Sequence, residues 1–299
     1  MMSALRLSLL RVLAAYVRRV PDHPGQWRIV QLAVAWAPLL RSLGRPVVVR
    51  LKDGSRLLVD GTSQTGRIAF ATGSYEPRTT ALIRASVRPG DTVVDVGANI
   101  GYFSIVAARA VGAAGRVLAF EPVPAVRHAL MENLGLNGVG AVEVRDEALS
   151  RQSGEVSFFV GPAQDTGLGS LRALQHGTQI RVQQRRFDDI FDRQSRVALV
   201  KIDVEGGELG VLQGMEECLR RDRPEIVLEV TDEFLRALGA SAEQLHRFLS
   251  DLGYYMWMIP EEGPLAPVRT AADVANCPSQ FNAFCSADGA NDAVSHGGE

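Results

Sequence analysis

An α/β fold with a mostly parallel sheet and helices on both faces is predicted for this 299-residue chain by two strand–turn–helix units and the acids that end their strands. In the first unit the apolar run Thr92-Val93-Val94 drives into Asp95. A glycine-punctuated turn follows, Gly97-Ala98-Asn99-Ile100-Gly101, and a helical pattern runs from Phe103 to Ala110. Gly97 and Gly101 lack a Cβ, so a ligand can lie against the backbone there. In the second unit Val197-Ala198-Leu199-Val200-Lys201-Ile202 ends at Asp203-Val204-Glu205-Gly206, and a helical segment continues from Leu209 to Arg221.

The remaining elements follow in order. Val47–Leu51 and Arg56–Val59, joined through Asp53-Gly54, read as a β-hairpin ahead of the main sheet. Arg67 to Gly73 leads to Tyr75-Glu76, then to a helix near Thr79 to Val87, and Pro89-Gly90 punctuates entry to the first central strand. Gly115 to Phe120 is a second strand ending at Glu121-Pro122. The sheet is expected to continue at Ala141–Arg145 and Glu155–Val160. Residues Gly161 to Gln184 are polar, show no strong period and read as a loop suited to substrate contacts. Pro224 to Val230, Tyr254 to Ile259 and Phe281 to Cys285 are the late strands. Residues 289–299 are almost without apolar content and read as a frayed tail.

The ligand should contain a nucleoside. Glu121 lies 20 residues beyond Gly101, where such a sheet sets a carboxylate against ribose hydroxyls. A dinucleotide needs Gly-x-Gly-x-x-Gly to approach its pyrophosphate, and this turn is Gly97-x-x-x-Gly101 behind an acid that would repel phosphate. S-adenosylmethionine has no phosphate and carries an ammonium and a sulfonium, so it suits an acidic mouth. Strand ends at one edge share one crevice, so Asp203 and Glu205 should face the same ligand as Asp95 and Glu121.

Composition limits the alternatives. With 46% apolar and 22% charged residues the chain can bury one large core. A net charge of −2 offers no broad basic field for nucleic acid. Three cysteines, Cys218, Cys277 and Cys285, form no Cys-x-x-Cys pair and suit a reducing compartment. No His/Asp/Glu set has metal-ligand spacing, so no metal is expected. Leu5 to Val20 reads as a basic amphipathic helix, and Ile29 to Leu40 is too short to span a bilayer. The expected location is cytoplasmic. Residues 1–45 serve either as a helical cap or as a weak peripheral contact with the inner face of the membrane.

At this point the residues resemble a known family. Asp95-Val96-Gly97-Ala98-Asn99-Ile100-Gly101-Tyr102-Phe103-Ser104, Ala119-Phe120-Glu121-Pro122 and Lys201-Ile202-Asp203-Val204-Glu205-Gly206 resemble the FkbM family of S-adenosylmethionine-dependent methyltransferases. Asn133/Asn137, Glu147-Ala148-Leu149-Ser150 and Tyr75-Glu76-Pro77 fit its order, and the resemblance covers about residues 70 to 285. Phe187-Asp188-Asp189-Ile190 stands where the family usually shows Thr-Leu-Asp-Asp-Leu. Gly207 replaces a more usual alanine, and Gly161 to Gln184 matches nothing. The resemblance implies a Rossmann-like class I methyltransferase with a seven-stranded sheet. It divides the chain into a helical segment (1–45), a hairpin and lid (46–75), the methyltransferase domain (76–287) and a tail (288–299). It further implies O-methylation of a hydroxyl on a small molecule, a glycan, a glycolipid or a secondary metabolite. N-methylation of an amine is the alternative, and a non-catalytic nucleoside binder is a third reading.

The expected roles follow. Asp203 and Glu205 are candidate catalytic groups, one holding the cofactor or acceptor and the other accepting the hydroxyl proton. Both fall on one face if strand geometry persists past Ile202; otherwise Glu205 caps the following helix. Asp95 binds the methionine ammonium or braces the glycine turn formed by Gly97, Ala98, Asn99 and Gly101. Asn99 bonds the turn or faces the cofactor. Glu121 binds ribose, with Pro122 beside it. Asp146 and Glu147 reach the adenine amino group or are surface acids. Tyr75 and Glu76 fold over the cofactor as a lid or simply pack. His176 is either a base for the acceptor or an exposed loop residue.

Overall fold

A computed structural model describes residues 46–288, apart from 62, 162–168, 172–176 and 193–194, together with residues 14 and 40. The amphipathic N-terminal segment, His176 and the tail lie outside the described residues. The chain opens with β1 (Val47–Arg50) and β2 (Arg56–Val59), an antiparallel hairpin, followed by α1 (Gln64–Thr72) and α2 (Pro77–Ser86). Strands and helices then alternate: β3 (Thr92–Val96), α3 (Tyr102–Val111), β4 (Arg116–Phe120), α4 (Pro124–Asn137) and β5 (Val142–Arg145). Next come β6 (Ala148–Leu149), β7 (Gly154–Val160), β8 (Gly169–Ser170) and β9 (Thr178–Arg185). The short α5 (Phe187–Ile190) leads to β10 (Val197–Ile202), α6 (Glu208–Gly214), α7 (Glu216–Asp222) and β11 (Glu225–Thr231). The end of the fold is α8 (Asp232–Ala237), α9 (Ala242–Asp251), β12 (Tyr255–Ile259), β13 (Ala266–Val268), α10 (Ala271–Ala275) and β14 (Gln280–Ser286).

The main sheet has the order β13-β12-β14-β11-β10-β3-β4-β5. Neighbours from β11 to β5 are all parallel, and β14 runs antiparallel between β11 and β12. The seven expected strand positions are filled, and β13 adds an eighth at one edge. From β3 the chain builds outward to β4 and β5 on one side, then returns to build β10 and β11 on the other. The reversal opens a crevice at the carboxyl ends of β3 and β10. Every residue of β3 is buried, as a parallel strand covered on both faces requires. Val93, Val117, Leu199 and Val227 enter one core, and Val94, Leu118, Val200 and Ile226 enter the other. Alternation along each strand thus feeds a separate core on each face of the sheet.

Two expectations need correction. Glu155–Val160 does not extend the main sheet: β7 pairs with β8 and β9 in a separate sheet of order β6-β9-β7-β8. The stretch Gly161 to Gln184 is not simply a loop, because it holds β8 and most of β9. Val182 of β9 is buried, and Gln179, Arg181 and Gln183 beside its inward positions are exposed. Long polar side chains on one face mask that two-residue period, and only pairing with β7 makes the segment a strand.

The hairpin is fastened to the main domain rather than hung from it. Val47, Val49, Leu57 and Val59 belong to the same core as Val93 and Ile105. Asn133 of α4 is fully buried. It accepts from the Leu58 N–H at 2.6 Å and donates to the Ile100 carbonyl at 2.8 Å, joining β2 to the glycine turn. Asn137, one helical turn on, exchanges two hydrogen bonds with the Arg56 backbone. Asp188 of α5 accepts from the Glu217 and Cys218 N–H groups and so caps α7. Asn133→Ala should leave one buried N–H and one buried carbonyl unpaired and lower unfolding stability by about 2–4 kcal/mol in a denaturant titration.

Candidate active site

The crevice at the tips of β3, β4, β10 and β11 is a cavity of about 720 Å³. Its floor is the glycine turn. Gly97 takes φ +78°, and both the Gly97 and Ala98 N–H groups donate to the Phe120 carbonyl at 3.0 Å. A Cβ on Gly97 would stand 1.9 Å from the Asp203 carbonyl oxygen, so the tips of β3 and β10 meet only because no side chain intervenes. Glu121 is 6% exposed and both its oxygens are tied to backbone. One accepts from the Asn99 N–H at 3.0 Å and the other from the Val123 N–H at 2.9 Å. Each carboxylate oxygen keeps a second lone pair. Burial raises the Glu121 carboxyl to about 7.

Tyr75, Glu76, Gly97, Ala98, Asn99, Glu121, Pro122, Glu147, Asp203 and Glu205 all line this cavity. Three expected residues do not. Asp95 is 1% exposed and accepts from the Ser104 hydroxyl at 2.6 Å, which places it behind the wall. One of its oxygens has no hydrogen-bond partner. Gly101 sits at the N-cap of α3 with φ +88°, where a Cβ would stand 2.8 Å from Leu130, so its role is to let α3 and α4 approach. Asp146 is exposed just past the end of β5 and lies outside the cavity lining. Tyr75 packs edge-on against Tyr102 and lies 5.8 Å from the Phe103 ring. Glu76 accepts from the Asn282 amide at 2.8 Å. Both contacts build a wall.

Strand geometry does not persist past Ile202. Asp203 follows the strand end, and Glu205 turns into the left-handed region at φ 55°. The turn nevertheless brings Asp203, Glu205 and Glu229, from the end of β11, together. Their carboxylate oxygens lie within 4.8 Å of one another. Glu208, the first residue of α6, braces this turn: its carboxylate accepts from the Gly206 N–H at 3.0 Å and the Val204 N–H at 3.4 Å. Three of the four non-glycine residues with positive φ among the described residues, Glu76, Asn99 and Glu205, line this one cavity. Backbone strain of this kind gathers at functional sites.

Sequence reasoning missed four members of the site. Lys201 is 6% exposed, pairs with Asp203 at 3.0 Å and stands 4.9 Å from the Phe103 ring centre. Burial pulls its ammonium down, and Asp203, Asp95 and Glu76 outweigh that and hold it above its usual value. Glu229 lines the cavity, and burial with Asp203 and Glu205 close by pushes its carboxyl well above the ordinary range. Phe158 and Leu171, from the second sheet, supply apolar wall near Pro122 and Glu147. Glu229 is hidden inside a run that reads as an ordinary strand, whereas Lys201 stands directly before the Asp203-Val204-Glu205 turn, where its signal is visible.

Among the described lining residues the charged groups are Glu76, Glu121, Glu147, Asp203, Glu205, Glu229 and Glu261 against Lys201 alone. Such a set fits a cationic, phosphate-free nucleoside and would repel a pyrophosphate. The strand order, the glycine turn and the acids at successive strand tips define a Rossmann-like methyltransferase of the S-adenosylmethionine-dependent class. The comparisons agree. The family model "Methyltransferase FkbM domain" matches residues 95–256, more than half of the chain. The AMB antimetabolite synthetase AmbE of Pseudomonas aeruginosa is 32% identical over 212 residues, covering 56% of this chain and 10% of that protein. Methyltransferase 1 of Beauveria bassiana is 29% identical over 152 residues, covering 43% of this chain and 60% of that protein. Hexuronic acid methyltransferase AglP of Haloferax volcanii is 29% identical over 168 residues, covering 56% of this chain and 66% of that protein. The chain thus spans a tenth of AmbE and less than two thirds of Methyltransferase 1. It belongs to the FkbM methyltransferase family, and its methyl donor is S-adenosylmethionine.

Glu208 is 2% exposed, and burial raises its carboxyl to about 7 from 4.5. A folded value above the unfolded one favours the fold fully below about pH 4.5, and that contribution is lost as pH rises through 7. Glu121 acts in the same direction. Thermal unfolding should therefore show stability falling from pH 5 to pH 8. The Glu208→Gln curve should be flatter over that range by roughly 2 kcal/mol.

Proposed function

We propose that this protein transfers a methyl group to a hydroxyl of a sugar, glycolipid or secondary metabolite, with Asp203 as the general base. S-adenosylmethionine supplies an electrophilic methyl for in-line displacement when bound. The residues of the chain align the two reactants, exclude water and remove a proton. Glu121, its carboxylate fixed by two backbone N–H groups, is the group to receive the ribose hydroxyls. The glycine turn lets the donor lie against backbone at Gly97 and Ala98, and Asn99 and Pro122 complete that side of the wall. Glu147 and the apolar Phe158 stand where the adenine would be enclosed.

The observation that carries the reading is the position of Asp203. Its side chain is 26% exposed at the cavity wall while one oxygen is pinned by Lys201, leaving the other to accept a proton. Glu205 and Glu229 stand beside it. Glu229 is held protonated at neutral pH by burial and by those two neighbours, so it serves as a hydrogen-bond donor there. Positioning and a correctly placed base account for most of what such a displacement needs. A glycan acceptor is supported by the similarity to a protein named as a hexuronic acid methyltransferase. The seven lining carboxylates favour a second reading, methylation of an amine, because a cationic acceptor would be drawn to them.

Isothermal titration should give micromolar affinity for S-adenosylmethionine, weakened at least about tenfold in Glu121→Ala. Asp203→Asn should keep affinity for S-adenosylhomocysteine, which is uncharged at the transfer point, within about threefold while lowering methyl transfer by roughly 10²-fold or more across sugar, glycolipid and amine acceptors. A fully active Asp203→Asn would move the base elsewhere. Labelled methyl recovered on nitrogen would favour the amine reading.

A further inference from the structure

We propose that Lys201 is the positioning residue of this site, aiming Asp203 at the acceptor end and setting the net negative charge that the cavity offers to a cationic donor. The inference rests on the reading of Asp203 as the base. Three observations lead to it. Lys201 and Asp95 are register partners on the adjacent parallel strands β10 and β3, so their side chains leave the sheet on the same face. The Lys201 ammonium closes a 3.0 Å ion pair with Asp203, only two residues along its own chain, and sits over the Phe103 ring. Its charge also acts on Glu76, the cavity-wall residue just ahead of α2.

One ammonium thus serves Asp95 behind the glycine turn, Glu76 in the cavity wall and the acid that would take the proton. It is 6% exposed and has no cationic substitute among the described lining residues. Asp95 and Glu76 are both raised by burial, and in each case Lys201 is the charge that opposes this. Glu205 adds negative charge at the same mouth, and the protonated Glu229 stands beside it. Removing the ammonium has two consequences. Asp203 loses the bond that fixes its direction. The cavity becomes more negative, so cationic ligands gain relative to neutral ones of the same shape.

Two nucleosides read that charge without any acceptor. Sinefungin carries an amine in place of the methylated sulfonium, and S-adenosylhomocysteine carries neither charge at that position. The ratio of their dissociation constants, measured by calorimetry at pH 7.5, reports the potential at the transfer point. In Lys201→Met the preference for sinefungin should rise at least about fivefold over wild type. Lys201→Arg should return it to within about twofold of wild type. Asp203→Asn removes a negative charge and should shift the preference the other way by about threefold or more. A ratio unchanged in Lys201→Met overturns the inference. If Lys201→Met does not fold, a ratio unchanged in Asp203→Asn overturns it. Methyl transfer is a separate readout: activity retained in Asp203→Asn defeats the base assignment, while the shifted ratios still support the charge-setting role.

Discussion

Among the described residues, seven carboxyl groups and a single ammonium share the wall of one cavity, and the rest of the site follows from how that imbalance is held. Carboxylates gathered away from water repel one another, and burial disfavours each charge. The fold answers in three ways. Lys201 neutralises part of the charge through Asp203 and by its action on Asp95 and Glu76. Backbone N–H groups tie down Glu121 and Glu208. Protons remain on those that cannot be neutralised, above all Glu229. An arrangement of this kind is best relieved by a ligand that brings positive charge, which is the character of a sulfonium donor.

The cavity owes its shape to close backbone approach. Gly97 and the Asp203 carbonyl meet so tightly that a single methyl group between them would clash. That contact welds the glycine turn after β3 to the turn that carries Asp203 after β10. Around it, Glu76, Asn99 and Glu205 are held in left-handed conformations that their side chains disfavour. The packed sheet beneath supplies the rigidity that makes these conformations hold, with two cores on opposite faces and a fully buried β3 at its centre. Asn133 extends the same scaffold outward, linking the hairpin to the turn by both ends of one amide.

The second sheet completes the enclosure. β7 and β9 pair away from the main sheet, and Phe158 brings an aromatic ring to the cavity wall. Polar lining thus concentrates at the strand tips, and apolar lining stands near Pro122. A nucleoside has the same division, with a flat apolar base at one end and a charged chain at the other.

Much of this was legible in the chain itself. Thr92 to Gly101, Gly115 to Glu121 and Val197 to Gly206 announced strands, turns and terminal acids, because a buried parallel strand needs a continuous apolar run and a ligand crevice interrupts it abruptly. Those local patterns were sufficient for the α/β class, the donor and the family. They were not sufficient for the second sheet, since Ile180 and Val182 sit among long polar residues and become a strand only through a partner more than 20 residues away. Nor could spacing reveal that Asp95 stands behind the wall, or that Glu229 joins Asp203 and Glu205 from the neighbouring strand. Sequence determined which residues carry charge and where strands end. Strand order and register alone decided which of those charges meet, because β3, β10 and β11 are far apart along the chain and neighbours only in the sheet.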